Sequence, residues 1–577
     1  MLKCWVRKSL RPALTALALG AMTLSFTGAA RALGPAAKGV FVGNEFYAPT
    51  VAWQNNARVS GFTTLCLFTM HVQSNGNLDY NGTPIVTNGV YVGDSTWGAK
   101  LAACKAAPSS VNRIELTIGG WGDPSFTNIK NLIASQGTGS SSILYKSFQA
   151  LKNAIGIDAI QYDDEQTYDS GSAVSFGNMI SGLGMKVTLC PYTAQAFWVS
   201  VRSQLGAKVD AIYLQCYDGG AGNDPGNWNS AFGGFKVYPG LWGNTDTPGS
   251  AAAKMRGWQN NLGITGGFMW LNGSLPGDAP KWAETLHIGL DPIAFFNIVN
   301  QNSSRCVDLI NGNTANGAVV NQWGFDTNSG NQRWSLVPSE NGDHFKLISW
   351  ASGKCLGPAA DSINAGVQIT DSEYSGNNTA QQWDLIDTGN GWYNIKNVKS
   401  GLVLDIAGNS TADNGMLDQW PANSQANQRF RLQPWGNYYL QVSTGKYICV
   451  QGAGTTNGSA IIQYDGQSNP WFKWTFTSVG DGWFDLFSIN APTRVLAVQN
   501  ASIAANAPCV LWDYNSSSHA NSTVRIAPKT NGKFKFYFQH DGMSWDIPGG
   551  NTANNVPLQQ FPDNTGTNQD FVMERSQ

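Results

Sequence analysis

Six segments in the second half of the chain end in nearly the same way. NQRWSL, AQQWDL, NQRFRL, WFKWTF, NSTVRI and NQDFVM align on Trp334, Trp383, Phe430, Trp474, Val524 and Phe571, in steps of 49, 47, 44, 50 and 47 residues. A period of that length is one supersecondary unit, and such units bury their apolar faces only against one another. Each step carries Gly and Asn turns and a two-stranded pattern such as WYNIKNVKSGLVLDIAG, and helical spacing vanishes after residue 291. The repeat therefore predicts an all-β C-terminal half, closed either as two threefold domains or as one six-bladed propeller.

The Gln-x-aromatic ending, with its aromatic expected to be buried, resembles the ricin-type β-trefoil lectin repeat, known as the QxW repeat. That resemblance implies two β-trefoil domains, residues 292–434 and 435–577, and selects them over a propeller. It also implies a test for sugar binding. A binding repeat offers an early Asp, an aromatic platform midway and an Asn just before the ending, so that the ring stacks on the sugar while Asp and Asn hold its hydroxyls. The first repeat offers Asp308, Trp323 and Asn331, the third Asp405, Trp420 and Asn427, and the sixth Asp546, Phe561 and Asn568. Where Asp is wanted, the second has Gly357, and the fourth and fifth have Gln451 and Gln499. Up to three sugar sites are expected, with the other repeats structural.

The first half reads differently. Eight short apolar runs, from GVFVG at 39–43 to GGFMWLNG at 266–273, alternate with stretches of helical spacing such as SSILYKSFQALKNAIG and TPGSAAAKMRGWQNNLG. This rhythm over residues 33–291 suits a (β/α)8 TIM barrel, with a doubly wound open sheet as the other possibility. The fold class expected is thus multidomain, a TIM barrel followed by two all-β trefoils.

The fourth run leads into GIDAIQYDDEQTYD, which crowds Asp158, Asp163, Asp164, Glu165 and Asp169 into a chain only 13% charged. In a strand, residues two apart face the same way, so Asp163 and Glu165 share a face at the strand's C-terminal end, where barrel enzymes do their chemistry. Like charges held close raise one pKa and can keep a carboxyl protonated at neutral pH. An acidic, solvated loop explains the stretch equally well taken alone.

The spacing Asp158-x-x-Gln161-x-Asp163-x-Glu165 resembles the DxxDxDxE signature of family 18 glycoside hydrolases, the chitinases and endo-β-N-acetylglucosaminidases. Thr117-Ile118-Gly119-Gly120 on the third run, Gln215-Cys216-Tyr217-Asp218 on the sixth and Trp270 on the eighth resemble that family's SxGG, MxYD and closing Trp. The chain departs from the signature at Gln161, which stands in place of an Asp. It can still hydrogen-bond a neighbouring Asp but cannot share a proton as an acid does. The resemblance implies that Glu165 protonates the glycosidic oxygen, Asp163 and Tyr217 hold the substrate's 2-acetamido group, Trp270 floors the sugar site and Asp158 supports Asp163. It implies cleavage of β-1,4 bonds next to N-acetylglucosamine, in chitin or in an N-linked glycan. The rival expectation is a chitinase-like lectin or toxin that only binds glycans. Trp121, Trp198, Trp228 and Trp242 are candidates either for sugar stacking or for packing.

The net charge of -2 gives no reason to expect nucleic acid as a partner. Residues 1–32 read as a secretory signal: Lys3, Arg7, Lys8 and Arg11 precede an apolar run that closes on Ala30-Arg31-Ala32 and is short for a membrane anchor. A secreted monomer acting on polysaccharide or glycan is expected, with no metal, since no His and Cys grouping has zinc spacing, and no cofactor. Eight cysteines follow Cys4, but their pairing cannot be read from spacing.

Overall fold

The structure is a computed structural model that describes residues 36–47, 52–107, 109–272, 279–339 and 341–576. The expected secretory segment lies outside the described residues. All eight apolar runs form strands: Lys38–Val42, Thr64–Val72, Arg113–Gly119, Ala159–Asp163, Lys186–Leu189, Val209–Gln215, Tyr238–Trp242 and Gly267–Trp270. Each pairs in parallel with the next, and the first pairs in parallel with the eighth, Val40 opposite Met269. The sheet therefore closes into an eight-stranded parallel barrel.

Helices cover the outside of the barrel, and their ends are legible in the sequence. In Ile143–Ile155 the residues Leu144, Phe148, Leu151 and Ile155 fall on one buried stripe. The Ser142 side chain accepts from the Tyr145 backbone N–H at the start, and Gly156 ends the helix at φ 62°, a left-handed conformation that glycine reaches without a Cβ clash. Pro248–Leu262 opens on a capping box between Thr247 and Ser250 and closes on Gly263 in the same left-handed way. One insertion went unread in the apolar pattern: after the second strand, Leu78–Tyr80, Thr83–Thr87 and Val90–Tyr91 form an antiparallel excursion.

Inside the barrel, away from the strands' C-terminal ends, lies a buried ionic group. Glu115, fully buried, accepts from Arg113 Nε at 2.6 Å, Thr188 Oγ1 at 2.5 Å and Tyr213 Oη at 2.8 Å. The two other Arg113 nitrogens donate to Asp210 at 3.0 and 2.8 Å. Charges removed from water stay charged only when every lone pair and N–H finds such a partner.

The second half forms two antiparallel systems, twelve strands between Phe296 and Pro434 and thirteen between Asn437 and Ser576. The repeat that announced them has a physical cause. Trp334, Trp383 and Trp474 are fully buried, and each indole N–H donates back to a strand carbonyl of its own unit: Val307 at 3.0 Å, Leu356 at 2.9 Å and Ile448 at 3.1 Å. In four of the units a Gln two residues before the aromatic of the ending staples the preceding loop. Gln332 donates to Gly324 O and accepts from the Asp326 N–H, and Gln381, Gln428 and Gln569 repeat the pattern. The aromatic fills the core while the Gln satisfies loop backbone that would otherwise be buried unpaired.

The barrel and the β domains touch. Arg256, on the Pro248–Leu262 helix, donates to Ser349 O at 3.1 Å and lies over the Trp350 and Phe295 rings. Near the C-terminus, Arg575 donates to Gln259 at 3.1 Å, and Lys346 pairs with Glu284. Among the described residues all eight cysteines are free thiols, and no helix is long and apolar enough to cross a membrane.

Candidate functional site

A cleft of about 370 Å³ opens at the C-terminal ends of the barrel strands. Its walls include Asp163 and Glu165 from the fourth strand and the residues after it, Gln215 and Tyr217 from the end of the sixth, Trp270 from the eighth, and Asp218. Strand parity explains the selection. Gln161 and Asp163 point into the barrel, while Tyr162 points out against Phe126 and Phe176.

The five crowded carboxylates therefore do four different jobs. Asp158 sits at the beginning of the strand on the opposite parity, where it takes Lys105 Nζ at 2.9 Å and the Ile114 N–H at 2.8 Å. It is remote in role from Asp163 and does not support it, contrary to what the signature implied. Asp164 ties the following loop by accepting from the N–H groups of Gln166, Thr167 and Tyr168 at 3.2, 2.8 and 2.9 Å. Asp169 caps the next helix through Ser172 N at 2.9 Å. Only Asp163 and Glu165 enter the cleft.

Their environment favours the protonated forms. Burial raises the Asp163 pKa well above its ordinary value, and the charges of Glu165 and Asp164 push the same way. Glu165 is also raised, first by burial and then by the charges of Asp218 and Asp164, against a hydrogen bond from Gln215 that favours the carboxylate. Gln215 donates to Asp163 Oδ1 at 3.1 Å and to Cys190 O at 3.4 Å, so one amide orients the acid pair. Burial holds the Tyr217 phenol protonated. Gln161 bonds no carboxylate: it accepts from Thr117 Oγ1 at 2.8 Å and donates to Cys66 Sγ at 3.6 Å.

Gly119 and Gly120 do not line the cleft. They let the third strand press against the fourth, with backbone φ of 101° and 120° and the Gly120 N–H donating to Asp163 O at 2.8 Å. A Cβ on Gly119 would lie 2.2 Å from that carbonyl, so glycine is required there. Trp270 stands edge-on to Phe41 and Phe68, with ring centroids 5.6 and 5.0 Å apart. Of the other tryptophans, Trp198 and Trp228 are core residues, and Trp242 donates to Asn272 at 2.9 Å. Trp121 is 91% exposed on the rim of the cleft. The sequence reading missed Phe41, Phe68, Tyr192 and Gly219, because a cleft wall gathered from seven separate strands and loops has no local pattern. Nearby, His71 meets Asp123 at 2.9 Å, and that hydrogen bond raises the imidazole pKa. Among the described residues no His, Cys, Asp and Glu group could hold a metal ion.

In the β half, Asp308, Trp323 and Asn331 line one pocket of about 250 Å³. Burial pushes Asp308 up to about 6, against a hydrogen bond from Gln332. In the third unit Asn427 donates to Asp405 at 2.8 Å beside Trp420, which is 46% exposed. In the sixth, Asn568 and Gln559 hold Asp546 at 2.6 and 2.9 Å, with half-buried Phe561 on the paired strand. Strand register corrects one part of the sequence comparison. Asp308, Asp405 and Asp546 face Asn321, Asp418 and Gln559 across their hairpins. The equivalent residues in the second, fourth and fifth units are Gly357, Cys449 and Ala497. Gln451 and Gln499 fall two residues later, at the start of a 3-10 turn.

The ricin-type β-trefoil lectin domain-like family matches four overlapping stretches, residues 288–371, 330–420, 379–464 and 426–512. The C-terminal part of the chain thus carries ricin-type β-trefoil lectin domains, a class that binds carbohydrate. No curated protein matches the chain. Among solved structures it is similar to the designed threefold-symmetric protein ThreeFoil, at 33% identity over 24% of this chain and 97% of that one, with a TM-score of 0.23. It is also similar to the Rhizoctonia solani agglutinin, at 23% identity over 25% and 96%, TM-score 0.23. A third is the Macrolepiota procera ricin B-like lectin in complex with lactose, at 19% over 24% and 95%, TM-score 0.21.

Proposed function

We propose that the chain is a secreted glycosidase: a (β/α)8 domain of family 18 type over residues 33–291, exported by residues 1–32 and held on its substrate by lectin domains at 292–434 and 435–577. The observation that carries this reading is the meeting of Asp163 and Glu165 in one cleft with Gln215, Tyr217 and Trp270. Protonated Glu165 gives its proton to the glycosidic oxygen while the substrate's own acetamido oxygen attacks the anomeric carbon, and the leaving sugar departs as an alcohol. Asp163 accepts from the acetamido N–H and Tyr217 donates to its oxygen. Water then opens the cyclic intermediate, with Glu165, now a carboxylate, taking its proton, so that configuration is retained. Trp270 and exposed Trp121 offer faces on which sugar rings stack. Several weak lectin sites on one polymer lengthen residence through effective concentration.

One observation favours a second reading, a chitinase-like lectin or toxin that binds cell-surface glycans without cutting them. Gln161 is tied to Thr117 and Cys66 and gives Asp163 no second acid with which to share a proton, and glycan binding by the lectin domains needs no catalysis. The deciding experiment is incubation of the purified chain with chitin oligomers and with an N-glycosylated protein, products being mapped by mass spectrometry. Cleavage beside N-acetylglucosamine supports the enzyme and selects chitin or N-glycan. Glycan binding without cleavage of either supports the lectin.

A further inference from the structure

The fifth β unit has the wrong sequence for a sugar site and the right shape. Register places Trp512 opposite Val495, as Trp323 lies opposite Cys306 and Trp420 opposite Val403. Trp512 is 45% exposed, close to the 42% of Trp323 and the 46% of Trp420. The Asn is also retained. Asn521 stands three residues before Val524, and its side chain donates to Val498 O at 3.0 Å, just as Asn427 donates to Ile406 O at 3.0 Å and Asn568 to Ile547 O at 3.1 Å. What changes is the floor. Ala497 replaces the Asp, and the residue facing it, Val510, replaces Asn321, Asp418 and Gln559.

The unit also adds groups of its own. Its loop brings Tyr514, 38% exposed, which packs edge-on against Phe487 and His519 at 5.2 and 5.8 Å. His519 is fixed from one side: its Nδ1 lies 3.0 Å from fully buried Asp485 and 2.8 Å from Thr523 Oγ1, so Nε2 is the ring nitrogen turned away from them. Val495, Ala497, Trp512, Tyr514, His519 and Asn521 line a cavity of about 390 Å³.

We propose that this cavity is a fourth sugar site and that it takes a 2-acetamido sugar, with Trp512 under the ring and the acetamido methyl on the apolar floor of Val495 and Ala497. A carboxylate floor is suited to bare hydroxyls, which it accepts hydrogen bonds from. An apolar floor beside an aromatic platform gains from a methyl group and gives a bare hydroxyl nothing to bond. Orientation comes from His519 at the polar side. Binding here is separate from the barrel, since sugar held at Trp512 is bound whether or not Glu165 cleaves anything.

The test uses the full chain carrying Asp308→Asn, Asp405→Asn and Asp546→Asn, titrated with N-acetylglucosamine, N-acetylgalactosamine and galactose and followed by calorimetry. Glu165→Gln is included so that the barrel turns nothing over, and comparison with and without Trp512→Ala separates binding at the cavity from binding in the barrel cleft. The expected result is residual binding of at least one acetamido sugar, at least tenfold tighter than galactose, lost on adding Trp512→Ala. Ala497→Asp returns a carboxyl to the floor, so it is expected to erase the acetamido preference, with circular dichroism confirming that the variant is folded. No acetamido binding in the triple variant, or binding indifferent to both Trp512→Ala and Ala497→Asp, would overturn the proposal.

Discussion

Asp418→Asn isolates a feature found in one lectin site and not in its neighbours. Asp405 and Asp418 face each other across a hairpin, both buried. Two buried carboxyls set opposite each other repel when both are ionised, which favours a proton on one of them. Burial, with the Asp405 charge beside it, pushes Asp418 up to about 7. The folded state therefore binds a proton that the unfolded chain releases near pH 4. A carboxyl raised in this way lowers stability as pH climbs from the unfolded value to the folded one, and the loss is complete above about pH 7. Between pH 5 and pH 8 the loss runs over the roughly two pH units up to the folded value, or up to about 2.7 kcal/mol. Solvent screening and side-chain relaxation reduce it to about 1–2 kcal/mol. Urea unfolding of the full chain at the two pH values, followed by tryptophan fluorescence of the lectin transition, measures it. Wild type is expected to lose that amount on going to pH 8, and Asp418→Asn to lose much less. Sugar binding at Trp420 should weaken with pH in wild type and hold level in the variant. An identical pH dependence in both proteins would refute the retained proton.

Three further outcomes follow from particular contacts. Glu115→Gln removes the charge that Arg113 needs inside the barrel and is expected to cost about 3 kcal/mol in urea unfolding. Trp121→Ala should weaken glycan binding at the cleft two- to tenfold, in line with about 0.5–1.5 kcal/mol for an aromatic contact, without moving the thermal midpoint, because the ring is 91% exposed. Trp383→Phe leaves Leu356 O without its donor and should destabilise the first lectin domain by about 1–3 kcal/mol, measured by the same fluorescence transition.

The sequence carried what is periodic or local. Eight apolar runs became eight barrel strands because strands buried on both faces must be apolar throughout. The β units were legible because a Gln, an aromatic, or both recur at the same place in five of the six and solve the same burial problem there. Strand parity alone separated Asp163 from Asp164, and it also sets Asp158 on the opposite face from Asp163, a consequence that the signature's spacing obscured. The cleft was legible only in part. Gln215 was found next to Tyr217, but Phe41, Phe68 and Tyr192 reach the cleft from segments far apart in the chain. The register of the lectin hairpins was misread by two residues at Gln451 and Gln499, since a one-dimensional comparison cannot see which residues face each other. That same slip concealed Ala497 and the cavity around Trp512.

In the proposed reaction Glu165 is the proton donor, and Glu165→Gln tests that role with the least change of shape. Hydrolysis of chitin oligomers and of an N-glycosylated protein is compared between wild type and variant, with glycan affinity measured in the same preparations. The prediction is a rate at least a thousandfold lower with affinity within threefold of wild type. Equal rates in the two proteins would show that the cleft's chemistry does not pass through Glu165 and would contradict the account.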